Sequence, residues 1–350
     1  TATVGTAAAG IGGAGTAAGE GGAATSLIGR QTHAAMADTN IDQTAGTGTA
    51  QVTAKAENTG KLYNNALVIA GSGTASVGVG AAVDYDSTDA DTLVSGGAWN
   101  IGNLDALAVS NDTIVNFGIG GAAAGVAGVA GSVGVNVLGG NTSAVIENGA
   151  NITANNNIIV SAQSSRSIDN IAGVLAGAGE GMAAGLAVTV NDVHGDTKAT
   201  VQGAQTKLTA KGNGAGETVT DGLADGQLRT DNALSQSGIK FGQSLTRKEN
   251  SYKGIAVSAS NTSKIQDAVI NAGGTGIGAT VNGNVNVNTI SGTTAASAEG
   301  AAFNAGTTGD IHVVANDYAD TAGFIGGVSV AGVGAGVGLG SNTLTINRTV

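Results

Sequence analysis

Four aspartates stand close together in the segment VDYDSTDAD, and clustered carboxylate oxygens are the ligands that Ca²⁺ prefers in proteins. In an extended strand Asp84 and Asp86 share one face, because side chains alternate with a period of two, and Asp89 and Asp91 follow shortly after. The spacing matches neither the EF-hand loop nor the calcium-binding nonapeptide repeat. The segment is therefore either a Ca²⁺ site formed by these four residues or a solvated loop, and no other cofactor is expected.

The chain offers few side chains for catalysis. Its three histidines, His33, His194 and His312, fall at different points of the sequence repeat, and no serine stands in a G-x-S-x-G turn. The aspartate cluster lacks a basic partner, since no Lys or Arg occurs between Lys61 and Arg166. We therefore expect that the protein is not an enzyme.

Aromatic side chains make up only 3% of the sequence. Phe241 and Tyr252 lie in or beside residues 212–250, a segment that is richer in charge than the rest of the chain. Because exposed aromatic side chains contribute strongly at interfaces, we predict that these two residues belong to a binding loop.

Composition limits both the fold class and the partners. The 350 residues include 61 Gly, no Pro and no Cys, and 11% are charged, whereas an ordinary globular domain has roughly a quarter. The absence of Pro favours strands that are paired on both sides. The formal net charge of −11 does not favour nucleic-acid binding. The uncharged stretch from Thr113 to Ile146 is rich in glycine and ends in strict alternation, which favours a buried sheet over a membrane-spanning helix.

A repeat of 52–56 residues organises the chain, and two landmarks recur with this period. The first landmark begins at Val52, Ala108, Val160, Val257 and Val313, and the second lies at Asp84, Asn136, Asn191, Asn282 and Asn342. One step is longer by about forty residues because of the segment 212–250. A segment of that size is typical of a loop or small subdomain that projects from a repeat array.

Glycine alternates with small apolar residues in one strand of each repeat. In the last repeat the alternating glycines are Gly332, Gly334, Gly336, Gly338 and Gly340. A face without side chains predicts unusually close packing against a second sheet or a neighbouring chain, and we expect self-association through it.

Short strands, Asn- and Gly-rich turns and a fixed repeat predict an all-β parallel β-helix (β-solenoid) that runs through residues 1–350. A rung of some twenty residues would give about two rungs per repeat, although a single wide coil per repeat remains an alternative.

The phrases AGVAGSVGVNVLGGNTSAVIENGANITANNNIIVSAQSS and AAGLAVTVNDVHGDTKATVQGAQTKLTAKG resemble the repeat regions of very large secreted adhesins of Gram-negative bacteria. Nearest in pattern are filamentous-haemagglutinin-like proteins, among them the leukotoxin-type filamentous adhesins. The resemblance covers nearly the whole chain except the insertion and carries no catalytic motif. It implies a right-handed β-helix, secretion through the outer membrane, and an adhesive or filament-forming role.

These observations lead to the expectation of a structural or adhesive shaft in an extracellular bacterial adhesin or surface filament. The expected partners are further copies of the chain and a host or neighbouring-cell surface, without nucleic acid and without membrane insertion of this segment. Two alternatives remain open, a carbohydrate-active β-helix enzyme (a polysaccharide lyase or hydrolase) and an ice-binding solenoid.

Overall fold

The computed structural model describes residues 1–43, 50–223 and 247–350, and all regular elements within these ranges are β-strands. In chain order the strands are β1 (Ala2–Ala14), β2 (Ala17–Ala37), β3 (Ile41–Asp42), β4 (Gln51–Ser72), β5 (Ala75–Ser95), β6 (Ala98–Ile101), β7 (Asn103–Ala124), β8 (Ala127–Gly139), β9 (Thr142–Glu147), β10 (Asn151–Ala154), β11 (Ile158–His194), β12 (Thr197–Gln202), β13 (Lys207–Ala210), β14 (Glu217–Leu223), β15 (Arg247–Tyr252), β16 (Gly254–Glu299), β17 (Ala302–Asn304) and β18 (Asp310–Thr349).

Each sequence repeat forms one wide coil of a parallel β-helix. The chain runs along a long strand segment, turns sharply at an apex, returns along a second long segment and, in the first five coils, closes through a short third strand. Successive repeats pair directly and in parallel, Val52 with Leu104 and Leu104 with Ile158. The prediction of two rungs per repeat is therefore wrong, because a whole repeat passes before the chain returns to the same column.

The two long sides of the coils are named here by residue range. Coils 1 to 6 comprise residues 2–42, 51–101, 103–154, 158–210, 254–304 and 310–349. Face A consists of the segments that run toward the apex, residues 2–14, 51–72, 103–124, 158–178, 254–275 and 310–331. Face B consists of the returning segments, residues 17–37, 75–95, 127–147, 182–202, 279–299 and 335–349.

The first sequence landmark matches the observed register in its later steps and is shifted in its earlier ones, since Val52 pairs with Leu104, four residues before the predicted Ala108. Val160 pairs with Val257, and Val257 pairs with Val313. Ala108 pairs with Ala162, two residues beyond the predicted partner. The uncharged stretch 113–146 lies in β7, β8 and β9, as the alternation predicted.

The interior narrows from the closing end of the coil to the apex. At the closing end, three sides enclose a core of large apolar residues that includes Trp99, Ile152 and Leu208. Toward the apex, faces A and B approach each other so closely that a Cβ on Gly80 would lie 2.9 Å from the carbonyl oxygen of Ile119. Stacked sheets are ordinarily about 10 Å apart, so this part of the coil is unusually thin.

A column of glycines forms the apex. A Cβ at Gly179 would lie 2.9 Å from the carbonyl oxygen of Gly125, and a Cβ at Gly276 would lie 2.6 Å from that of Gly179. Gly332 continues the column with the same 2.6 Å approach to Gly276. Because any side chain here would strike the backbone of the preceding coil, glycine recurs at the same point of successive coils.

Between coils 4 and 5 the regular path is interrupted by the segment 212–250. Its two ends, β14 and β15, pair with each other as an antiparallel hairpin and form a separate two-stranded sheet.

In the described part of the chain, no helix is long and apolar enough to cross a membrane.

Candidate functional site

The four aspartates of the predicted Ca²⁺ site do not converge. Asp84 and Asp86 share a face, as the alternation indicated, but this face points inward and both side chains are fully buried. Asp89 and Asp91 lie on the opposite, outward side of the same strand and are partly exposed. Within residues 1–43, 50–223 and 247–350, no group of three or more potential ligands is arranged to hold a metal ion. The prediction that these four residues form one Ca²⁺ site is therefore corrected.

Asp89 has a structural contact at a bend in the coil. Its carboxylate accepts a hydrogen bond from the backbone N–H of Asn141 in the next coil at 2.8 Å. The Asn141 side chain does the same for the N–H of Asp196 at 3.1 Å, and the Asp196 carboxylate accepts from Thr293 at 2.9 Å. These side chains form a column in which each caps a backbone donor of the next coil.

An asparagine ladder runs along the axis inside the coils. From coil to coil, the side-chain amide of Asn136 donates to Asn191 at 2.6 Å and that of Asn191 donates to Asn288 at 2.7 Å. Asn116, on face A of the same coil as Asn136, donates to Asn136 across the interior at 2.6 Å. Asn288 is thus the partner of Asn191, whereas the predicted second landmark had placed Asn282 there. Such ladders satisfy buried amides by repeating one hydrogen bond from coil to coil.

Two aspartates belong to this polar interior and have altered acidity. Burial raises the pKa of Asp84 to about 6, against smaller opposing effects of hydrogen bonds from Ser26 and Asn64. Burial likewise raises the pKa of Asp267 to about 6, although Thr189, Asn170 and Asn191 donate to its carboxylate. Both carboxylates therefore gain a proton in the mildly acidic range, and the ladder is sensitive to pH.

A second buried column carries full charges. Arg30 of coil 1 reaches along the axis and donates to Asp86 of coil 2 at 2.9 Å and to Asp112 of coil 3 at 2.5 Å. In coil 4, Arg166 is fully buried, and burial lowers its pKa to about 10. The ion pairs of Arg30 tie coil 1 to coils 2 and 3. Arg166 instead donates to the backbone carbonyl oxygen of Gly140 in coil 3 at 2.5 Å.

The insertion begins and ends on the outer side of face A. Val219 is buried in a small cluster with Ile159 and Ala256, and Tyr252 packs against this cluster. The ring of Tyr252 also contacts the ring of His312 in a tilted arrangement, with ring centroids 4.6 Å apart. Tyr252 thus fixes the base of the hairpin, whereas Phe241, the other residue of the predicted binding loop, lies outside the described residues.

The base of the hairpin also contains two neighbouring carboxyl groups. Burial raises the pKa of Glu217 to about 7, and the nearby carboxyl group of Asp105 adds to the rise. A protonated Glu217 can donate a hydrogen bond to Asp105, whereas two ionised carboxylates at this distance repel each other.

The alternate glycines of the last repeat point into coil 6 or form its apex. A Cβ on Gly336 would lie 2.8 Å from the carbonyl oxygen of Ser329, and a Cβ on Gly340 would lie 2.9 Å from the side chain of Ile325, both on face A of the same coil. The predicted close packing therefore involves the second sheet of the same chain, and this side of the strand cannot form a lateral contact between molecules. The prediction of close packing is thus confirmed in its second-sheet form. The expected self-association through this side is corrected for Gly332, Gly334, Gly336, Gly338 and Gly340.

The apolar residues that alternate with these glycines face outward, and they recur in every coil of face B. We define the apolar face as the five outward positions nearest the apex in each coil of face B. Its members are Ala17, Gly19, Gly21, Ala23, Thr25, Ala75, Val77, Val79, Ala81, Val83, Ala127, Val129, Gly131, Val133, Val135, Met182, Ala184, Leu186, Val188, Val190, Ala279, Val281, Gly283, Val285, Val287, Ala335, Val337, Leu339, Ser341 and Thr343. The set contains no charged side chain, and its polar members are confined to the first and last coils. Contiguous exposed apolar surface of this kind marks an interaction site.

The outer side of face A is less uniform. It exposes Leu67, Ile69 and Leu175, but Asn65 and Asp169 occupy outward positions among them. The apolar face on face B is thus the more continuous of the two surfaces.

The three histidines remain apart. Nδ1 of His194 lies 2.9 Å from the Asp192 carboxylate on the outer surface, His312 contacts Tyr252, and His33 lies on the outer side of coil 1 opposite Asp91. The sequence had separated them in the repeat, and the structure keeps them in different columns.

Fold and surface together define an all-β parallel β-helix with a polar ladder inside and an apolar face outside. Comparison with protein-family models, with curated proteins and with solved structures finds no match for this chain.

The apolar face is the feature that the sequence prediction missed. The alternation was recognised, but its glycine side was assigned to close packing against either a second sheet or a neighbouring chain, with self-association expected through it, and its valine side was left without a role.

Proposed function

We propose that this chain is a structural length of an extracellular bacterial adhesin or surface filament, a shaft built from stacked coils. The observation that carries the proposal is the continuous parallel ladder, in which residues of β16 pair with β11 on one side and with β18 on the other from one end of a coil to the other. Each further repeat adds one coil on the same axis without changing the fold.

The dimensions of the coil specify the shape of the assembly. A 22-residue segment such as β4 spans about 70 Å, and coils rise by about 4.8 Å each, so the six coils make a plate about 29 Å high. Growth along the axis, by a longer chain or by end-to-end stacking, turns this plate into a ribbon about 70 Å wide.

The ladder itself supports growth by stacking. Each coil presents the same row of backbone donors and acceptors along the axis, as β16 does to β11 and to β18. Exposed rows of this kind favour the addition of another strand layer.

Electron microscopy and fibre diffraction of the purified chain test the proposal. We expect ribbons about 70 Å wide with a reflection near 4.8 Å along the ribbon axis, because coils stack in that direction. Compact particles without axial order at any concentration would refute the shaft.

The adhesive part of the proposal concerns the insertion at residues 212–250. Beads coated with the full chain are expected to attach to host or neighbouring cells more than beads coated with a variant in which Lys211–Gly254 is replaced by the Asn155–Asn157 connection of the preceding coils. Equal attachment would exclude the insertion as the adhesive element and leave the shaft unaffected.

A further inference from the structure

One column of the apolar face alternates strictly between glycine and a large side chain. From coil 1 to coil 6 its members are Gly21, Val79, Gly131, Leu186, Gly283 and Leu339. Large residues therefore recur every second coil, about 9.6 Å apart, with a glycine midway between them.

The large residues of this column protrude and the glycines leave gaps. Val79, Leu186 and Leu339 are 41%, 51% and 68% exposed. Gly131 stands between Val129 and Val133 along its strand, so its gap has apolar walls. A Cβ added at Gly131 would meet only ordinary contacts, the nearest at 3.4 Å from Val79, so internal packing does not demand glycine here.

Gly283 is tighter, but only against a side chain. An added Cβ would lie 3.3 Å from the tip of the Leu186 side chain, which would have to shift slightly, and no backbone atom lies within 4 Å. Glycine weakens a strand relative to residues with a side chain, and no backbone contact requires glycine at either position. The alternation is instead explained by a surface that must receive side chains from outside.

We propose that the apolar face is a docking surface for a second copy of this chain, laid face to face with its axis reversed. The two copies are related by a two-fold axis that lies in the interface plane, parallel to the strands and midway between coils 3 and 4. This axis places every coil that has a large residue in the column opposite a coil of the partner that has glycine there. Leu339 then enters the gap at the partner's Gly21, Leu186 enters that at the partner's Gly131, and Val79 enters that at the partner's Gly283. An unreversed copy without axial shift would place large residues on large residues.

The extent of the face suits a stable dimer. Nine residues of strand and six coils give about 28 Å by about 29 Å, or about 800 Å² per copy. This equals the area that each partner contributes to an interface of standard size, about 800 Å². The absence of charge among its thirty positions means that no ionised group loses water on docking.

A lipid surface fits these observations less well. Membrane-binding faces carry basic residues or interfacial Trp and Tyr, and the apolar face has none of these. A fluid lipid layer also gains nothing from alternation between large residues and gaps, whereas a rigid sheet does.

The test is a double variant that fills two of the gaps, Gly131→Leu with Gly283→Leu. The variant adds apolar area but leaves no room for the partner's large side chains. Because overpacked contacts are disfavoured, we expect lateral dimerisation to weaken on the order of tenfold or more. Asn65→Leu adds a similar side chain to the exposed outer side of face A and is the matched control, with no change expected. Sedimentation velocity over a concentration series measures the association, and circular dichroism checks the fold, with Gly131→Ala as a milder variant.

A cross-link separates lateral docking from end-to-end stacking. The chain has no Cys, and the proposed arrangement places residue 81 of coil 2 opposite residue 285 of coil 5 in the partner. Ala81→Cys with Val285→Cys is therefore expected to give disulfide-linked dimers. Within one chain these positions are three coils, about 14 Å, apart and cannot form a disulfide.

The docking surface rests on the proposed shaft only in that both require copies of the chain to associate. Different experimental results would overturn the docking surface and the shaft. A wild-type chain that forms ribbons but no Ala81→Cys/Val285→Cys cross-link overturns the docking surface and leaves the shaft intact. Stronger association of the gap-filled variant overturns it in favour of unspecific hydrophobic contact. If a larger fraction of the gap-filled variant than of the wild type floats with phosphatidylcholine vesicles, the docking surface is overturned and the apolar face is a lipid-binding surface.

Discussion

Asp84→Asn is expected to stabilise the protein at neutral pH. Asp84 pairs in register with Asn136, which begins the unbroken part of the asparagine ladder. Its Oδ1 accepts from Asn64 at 3.1 Å, but its buried Oδ2 has no hydrogen-bond partner among the described residues. An asparagine side chain at this in-register position is expected to donate to the side-chain oxygen of Asn136, as Asn136 donates to Asn191, because an amide oxygen can accept a second hydrogen bond. The substitution thus extends the ladder by one coil and removes a buried charge.

The magnitude follows from the pKa. A rise from 3.8 to about 6 corresponds to about 3 kcal/mol of destabilisation by the ionised carboxylate at pH 7. Because the folded pKa lies above the unfolded one, the stabilising contribution of the protonated form is complete below about pH 4 and is lost as the pH rises through about 6. Asp84→Asn is therefore expected to gain up to about 3 kcal/mol at pH 7 and little or nothing at pH 4.

Hydrogen exchange of coil 2 amides at pH 4 and pH 7 provides the assay, because it reports local opening without requiring two-state unfolding. The matched control is Asp89→Asn, on the outward side of the same strand, which should show no comparable gain at pH 7. An equal effect of Asp84→Asn at both pH values, or no gain at pH 7, would show that the buried carboxylate does not act as reasoned.

Three further predictions concern other parts of the coil. Arg30→Leu leaves two buried aspartates without their cation, so it is expected to destabilise coils 1 to 3 by about 3–5 kcal/mol at pH 7. Denaturant unfolding measures this loss of stability, and a loss below about 1 kcal/mol would contradict the buried ion pairs. Gly125→Val places a side chain against the carbonyl oxygen of Gly73, so the soluble folded yield should fall sharply, whereas Gly131→Val, on the outward side of face B, should be tolerated. Glu217 loses its proton as the pH rises through about 7 beside Asp105. The protection factors of the amides at the base of the hairpin, in which the intrinsic rise of the exchange rate with pH is divided out, should therefore fall above pH 7 in the wild type but not in Glu217→Gln; identical profiles would contradict the carboxyl contact.

The all-β parallel fold could be predicted from sequence because the period-two alternation and the repeat are local patterns. Val160 and Val257 could be aligned from their flanking residues alone, and they do pair. The number of rungs could not be predicted, because tight turns between short strands and the bends of one long coil use the same Asn and Gly residues.

The candidate site was harder to predict. Asp84 and Asp89 are five residues apart, an odd number, so their separation to opposite sides of one strand could have been predicted from the sequence. Which of the two sides is buried could not. A side without side chains, such as that of Gly336, can suit either a close interior or a close partner. Only the distance from Gly336 to Ser329 in the folded chain decides between these two.

The thin apex region also determines how a long assembly would bend. Resistance to bending grows steeply with thickness, and a coil about 70 Å wide is only about 10 Å or less across where glycines separate the two faces. A long stack of such coils would therefore bend more easily out of its plane than within it. A round rod of equal mass has no such preferred direction of bending.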